Sequence, residues 1–143
     1  MQAAKAYRLP LRQVGDIRAK YKAGERDFRW ADLSEAELSG ASLSRANLSG
    51  ASLRKANLRG AKLWKANLSR VNLSGALLWN ADLSGAFLWD ADLSGANLSR
   101  AELVGTQLRG ANLTGAKLDF GWERLKDLTG TILPDGTYHP STL

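Results

Sequence analysis

The chain has 143 residues, 44% of them hydrophobic, a net charge of +6 and no cysteine. That is enough for one domain with a modest core, and it excludes disulfide scaffolds, thiol chemistry and cysteine metal sites. No apolar run nears the ~18 residues a membrane helix needs, and the start lacks an apolar segment of leader length, so a cytoplasmic location is expected.

Residues 1–10 carry no anchoring pattern, and Pro10 suits a helix start. From there Leu11, Val14, Ile17 or Arg18, and Tyr21 fall at helical spacing. This predicts a short amphipathic helix over 11–23, with Gly24 as its stop. An N-terminal tail and helix, 1–26, would cover one end of the segment that follows.

From 31 to 118 the chain reads in fives: ADLSE AELSG ASLSR ANLSG, and onward. Every fifth residue from Leu33 to Leu118 is Leu, and the residue two before it is Ala except at Val71 and Thr106. On a helix, residues two apart sit roughly 200° apart, so Ala and Leu would face opposite ways. On a strand they share a face. The next Ala is three residues on, so the chain must turn a corner in every unit to keep it inside. Two residues after Leu comes Gly at 40, 50, 60, 75, 85, 95, 105, 110 and 115. That slot suits the positive φ of a type II turn. Arg45, Lys55, Lys65, Arg70 and Arg100 stand in the same slot, and a different, less regular turn is expected there.

Short strands joined by equal corners make a β-solenoid. The A(D/N)LSG unit in strict frame resembles the pentapeptide-repeat family. The resemblance implies a right-handed quadrilateral β-helix, an all-β solenoid of twenty residues per turn, over 27–120. The helix at 11–23 and the following Ala23 to Phe28, AGERDF, also resemble the start of family members. The interior would hold the Leu and Ala positions, Val71, Thr106 and Phe28.

The outward positions distinguish this chain. Arg45, Arg54, Lys55, Arg59, Lys62, Lys65 and Arg70 form a basic belt, the candidate anion-contact residues. Asp82, Asp90, Asp92 and Glu102 follow as an acidic turn. A twenty-residue turn sets Glu35 by Lys55, Lys62 by Asp82 and Arg70 by Asp90. Trp64, Trp79, Phe87 and Trp89, with Leu77 beside Trp79, break the Ser-rich surface. Leu77 with Trp79 and Phe87 with Trp89 would form apolar patches on opposite faces, the candidate protein contacts. Arg59 is placed to stack on Trp79, and Arg109 on Trp89.

After Leu118 the frame degrades, with Glu123 where Leu is expected. Residues 121–143 read as a C-terminal cap and tail: Trp122, Leu125 and Leu128 closing the rod, the frame recovering at Thr131 and Leu133, a turn at Pro134, Asp135 and Gly136, then a loose end. The TILPDG and HP ending resembles cyanobacterial members of the family.

No catalytic constellation emerges. The one histidine, His139, lies in the tail, and the serines line a convex surface with no base beside them. No cofactor or metal site is expected. A non-catalytic structural or protein-interaction scaffold is the leading reading, with a protein partner or self-association as a homodimer. Nucleic-acid or other anionic-surface binding through the basic belt is the alternative. The resemblance also raises DNA mimicry and gyrase protection, which the positive middle turns disfavour.

Overall fold

In the computed structural model residues 11–119, 125 and 127–140 are described. Parallel β-bridges join residues twenty apart without interruption from Asp27↔Asn47 to Asn97↔Lys117, and again at Asn112↔Ile132. Each coil therefore holds four pentads. Every straight side is so short that its one outward residue forms the bridge, and no longer strand develops. The outward residues stack into four faces. Face one carries Asp32, Ser52, Asn72, Asp92, Asn112 and Ile132, and face two Glu37, Asn57, Leu77, Asn97 and Lys117. Face three carries Ser42, Lys62, Asp82 and Glu102, and face four Asp27, Asn47, Asn67, Phe87 and Gln107.

Backbone hydrogen bonds run along the axis, as in Leu58 N–H to Leu77 O at 2.8 Å and Leu77 N–H to Ala56 O at 3.0 Å. A further bond closes each corner from within, as in Ala41 N–H to Leu38 O at 3.0 Å. Inside, the leucines from Leu43 to Leu93 are fully buried, with Val71 and Phe28 among them. Each such Leu contributes about 1.5–3 kcal/mol relative to exposure. Thr106 and Thr131 take Ala positions, and their hydroxyls donate to Leu83 O at 2.8 Å and Leu108 O at 2.7 Å. A buried hydroxyl is thereby satisfied by the coil beneath it.

The corners are more uniform than the sequence predicts. Arg45, Lys55, Lys65, Arg70 and Arg100 adopt φ between 53° and 61°, the left-handed value that Gly takes elsewhere. Glu35, Asn80 and Asp90 do the same. The ladder explains it: Arg45 N–H reaches Trp64 O at 2.8 Å, just as Gly60 N–H reaches Trp79 O at 2.9 Å. Axial pairing and buried Leu on both sides impose one corner geometry. They offset a left-handed penalty of about 1–2 kcal/mol per residue.

The N-terminal helix is shorter than its apolar spacing predicts. Helix α1 spans Ile17–Lys22. Arg12 instead bridges Ala31, and Gly15 has φ 68°. Asp16 caps α1 by accepting from Arg18 and Ala19 N–H. Glu25 N–H to Lys20 O and Gly24 N–H to Tyr21 O end it as a Schellman motif, with Gly24 at φ 102°. Ile17 is buried against the core. Arg18 donates to Ser39 O at 2.9 Å and Tyr21 to Ser44 O at 2.8 Å. Both are first-coil carbonyls that an earlier coil would otherwise satisfy.

At the other end the chain returns on itself. Leu128 and Thr131 are buried, and Leu125 and Leu133 pack against the core. After Pro134–Gly136 the chain runs antiparallel, with Ile132 bridging Tyr138. His139 N–H bonds Thr131 O, and His139 O accepts from Gly130, both at 2.8 Å. The tail expected to be loose is thus tied to the last coil through His139. Trp122, Glu123 and Pro10 lie outside the described residues.

Candidate interaction surfaces

The outward residue before each Leu is often Asp or Asn, and its side chain governs the corner. Asn72 Oδ1 accepts from Ser74 N–H at 3.0 Å and from Ser74 Oγ at 2.6 Å. Asp92 does the same for Ser94. Each forms an Asx turn that satisfies the one corner N–H the axial ladder leaves over. The recurring D/N–L–S spelling carried this signal in the sequence, and reasoning from periodicity alone missed it. At four other positions hydrogen bonds depress the carboxyl pKa. Asp32, Asp127 and Asp135 lie below the usual range because Ser34, Thr129 and Thr137 donate to them. Asp27 is lowered to about 2, chiefly by hydrogen bonds from the Arg29 side chain and backbone.

Leu77 and Phe87 depart from this pattern. Each occupies a slot where a polar residue usually caps the corner, and each is followed two residues later by Trp. Leu77 and Trp79 lie at face two, and Phe87 and Trp89 at face four, on opposite sides of the coil. Leu77 is 42% exposed and Trp89 44%, while Trp79 and Phe87 are half-buried. Phe87 and Trp89 pack together with ring centroids 5.3 Å apart. Trp64, at the corner after face three, is also exposed.

Cations cover some of these rings. Arg45 lies 4.8 Å and Lys65 4.7 Å from Trp64, and Arg59 5.2 Å and Arg100 5.7 Å from Trp79. Stacking of Arg59 on Trp79 follows the register read from the sequence. Arg109 makes no such contact with Trp89, whose ring packs on Phe87 instead.

The basic residues ring the rod and do not gather on one side. Arg54 and Lys55 stand at the corner after face one, Arg59 after face two, Arg45 and Lys65 after face three, and Arg70 after face four, with Lys62 on face three. The expected pairs Glu35–Lys55, Lys62–Asp82 and Arg70–Asp90 do not close to ion pairs. Among the described residues, ion pairs within 4.0 Å join Arg12 and Arg29 to Asp27, and Lys20 to Glu25. Asp82 is engaged by Ser84 N–H at 2.9 Å, and exposed long side chains gain little from closing such pairs.

A recess at the C-terminal end is lined by Ala116, Leu118, Leu133, Pro134 and Asp135. Among the described residues no three His, Asp or Glu side chains gather as a metal site, and no helix is long and apolar enough to cross a membrane.

Four equal sides, parallel pairing every twenty residues and an aliphatic interior define a β-helix solenoid. A profile described as pentapeptide repeats, in 8 copies, matches residues 27–64, 51–90 and 78–115, and the chain belongs to the pentapeptide-repeat family. It is similar in structure to a pentapeptide repeat protein from the thylakoid lumen of Arabidopsis thaliana. The identity there is 28% and the TM-score 0.62, over 69% of this chain and 68% of that one. It is also similar to Rfr23, a pentapeptide repeat protein of the cyanobacterium Cyanothece. The identity there is 36% and the TM-score 0.58, over 75% of this chain and 63% of that one. These likenesses make the solenoid a right-handed β-helix. No curated protein sequence matches the chain.

Proposed function

We propose that the protein is a non-catalytic interaction scaffold. The segment 27–120 acts as a rigid rod, and the described residues of segments 1–26 and 121–143 close its ends. Helix α1 serves as the N-terminal cap, because Arg18 and Tyr21 occupy carbonyls of the first coil. The observation that carries the reading is the apolar residue in a capping slot. Leu77 and Phe87 forgo an Asx hydrogen bond, worth about 1 kcal/mol, and expose apolar surface next to Trp79 and Trp89. Residues kept at a cost to their own corners are suited to contact with another surface, and Trp is enriched in such contacts.

The test is the double variant Trp79→Ser and Trp89→Ser. Both positions are corner sites where Ser is the common residue, so the fold is preserved. Loss of association and of partner recovery, with an unchanged melting temperature, supports the reading. Retention of both overturns it.

A second reading rests on the basic belt. Arg45, Arg59 and Lys65 lie over indoles, with no acidic group within 4.0 Å among the described residues. Such cations are free to meet phosphate or carboxylate. The distribution of the whole belt, with Arg54, Lys55 and Arg70 at the other corners, favours a diffuse attraction over one groove. Binding to nucleic acid that falls steeply between low and moderate salt would select this reading. A cytoplasmic site of action is proposed with either.

A further inference from the structure

Face two reads Glu37, Asn57, Leu77, Asn97, Lys117 from the N-terminal to the C-terminal end. Leu77 stands at the middle, an Asn lies on each side, and opposite charges close the two ends. We infer that face two binds the same face of a second copy, antiparallel, about a two-fold axis through Leu77. This rests on the interaction-scaffold reading and supplies the partner for one of its two patches.

The argument is complementarity of register. An isologous interface sets residue i against j and j against i. Reversing face two about Leu77 sets Leu77 against its own copy and Asn57 against the second copy's Asn97. It sets Glu37 against the second copy's Lys117, twice over. Parallel association of the same faces would oppose like charges at both ends. The unbroken twenty-residue step keeps the five residues in one column, about 19 Å long at roughly 4.8 Å per coil.

Side-chain detail agrees. Leu77 is exposed, and so are Glu37 and Lys117. Asn57 donates to Glu37 Oε2 at 3.0 Å, which holds the carboxylate on the face. Trp79 meets its own copy at the adjoining edge. The same register sets Arg59 against the second copy's Ser99, beside the second copy's Arg100, and both arginines already lie over their own Trp79 indole.

The other faces lack this combination. Reversed about Phe87, face four opposes Asn67 with Gln107, and its residues Asp27, Asn47, Asn67, Phe87 and Gln107 include no cation. Face one about Asn72 opposes Ser52 with Asp92 and Asp32 with Asn112, again without a cation. Face three pairs Lys62 with Asp82 but has no apolar centre. A single column about 19 Å long with one exposed apolar residue makes a small interface, so the dimer is expected to dissociate on dilution.

The experiment is sedimentation of the full chain over a concentration series at low salt, with Glu37→Lys, Lys117→Glu and Leu77→Asn. The native chain should dimerise, and raised salt should shift it toward monomer. Each charge reversal should weaken the dimer by about tenfold or more. An equimolar mixture of Glu37→Lys with Lys117→Glu should dimerise again, because the heterodimer restores both opposed pairs. Leu77→Asn restores the common capping residue, so it should stay folded and lose the dimer. A native chain that is monomeric throughout overturns the inference. So does native-like dimerisation of both single reversals, or a mixture that stays monomeric. If the chain is monomeric while Trp79→Ser with Trp89→Ser still abolishes partner recovery, this inference falls and the scaffold reading stands.

Discussion

The indole of Trp30 lies against Gly50, the next residue in the same corner column, so closely that a Cβ on Gly50 would run into the ring. Gly50 has φ 70°, and Trp30 itself has φ 62°. Gly40 has a similar φ of 68° but open space where a Cβ would stand. The two glycines therefore separate backbone strain from collision. Gly40→Ala should cost about 1 kcal/mol, the left-handed penalty alone. Gly50→Ala should cost about 1–3 kcal/mol more, because a large ring must shift. Chemical denaturation of the two variants would check the difference. Equal losses would mean that Trp30 moves freely.

Leu73 is fully buried in mid-rod, with coils above and below it. Leu73→Ala should cost about 2–5 kcal/mol, as cavities in aliphatic cores do. Leu73→Asp places a carboxylate with no counter-charge in the same space and should abolish the cooperative melt. Circular dichroism against temperature is the measurement. A native-like melt of Leu73→Asp would contradict the assignment of Leu to the interior.

Acid should weaken the rod in a defined window. Asp27 is lowered from its ordinary 3.8 to about 2, first by the hydrogen bond from the Arg29 side chain. Asp32, Asp127 and Asp135 shift the same way through their corner hydroxyls and amides. A carboxyl that is more acidic in the folded state binds fewer protons there than in the unfolded chain. Its contribution is fully present above the unfolded value. It is lost as pH falls from about 4 toward 2 for Asp27. Melting temperature should be flat on this account above that window and fall within it. Asp27→Asn should show a shallower fall. An unchanged slope in that variant would dissociate Asp27 from acid sensitivity.

The interior was legible from the sequence because its rule is strict: Leu every fifth residue and Ala two before it. The corner followed from the odd step between them. The twenty-residue coil came from the family resemblance, since period five does not fix how many corners close a turn. What the residues concealed were pairings set by neighbours. Arg12 joins the ladder, which leaves α1 only Ile17–Lys22. His139 is tied down because the last coil offers Thr131 O and Gly130 N–H at its rim. Arg45 and Lys65 take a glycine-like φ because the coil, not the residue, decides it. The aromatic patches were visible as outward hydrophobes. Their meaning sharpened once the Asx turns showed what Leu77 and Phe87 displace.

The coil of four pentads also fixes how this molecule tolerates added or lost segments. One extra residue in the rod would turn every later Leu and Ala off the interior. A whole extra pentad would preserve the interior yet rotate everything beyond it by about a quarter turn. Leu77 and Phe87, if more than a coil beyond the insertion, would keep their own stacked neighbours and point to a different side of the rod relative to the first coils. Twenty residues would lengthen the rod by one layer, about 4.8 Å, and return each later side chain to its original side. Length and orientation of the surface can thus vary in separate steps, through edits that leave the core chemistry untouched.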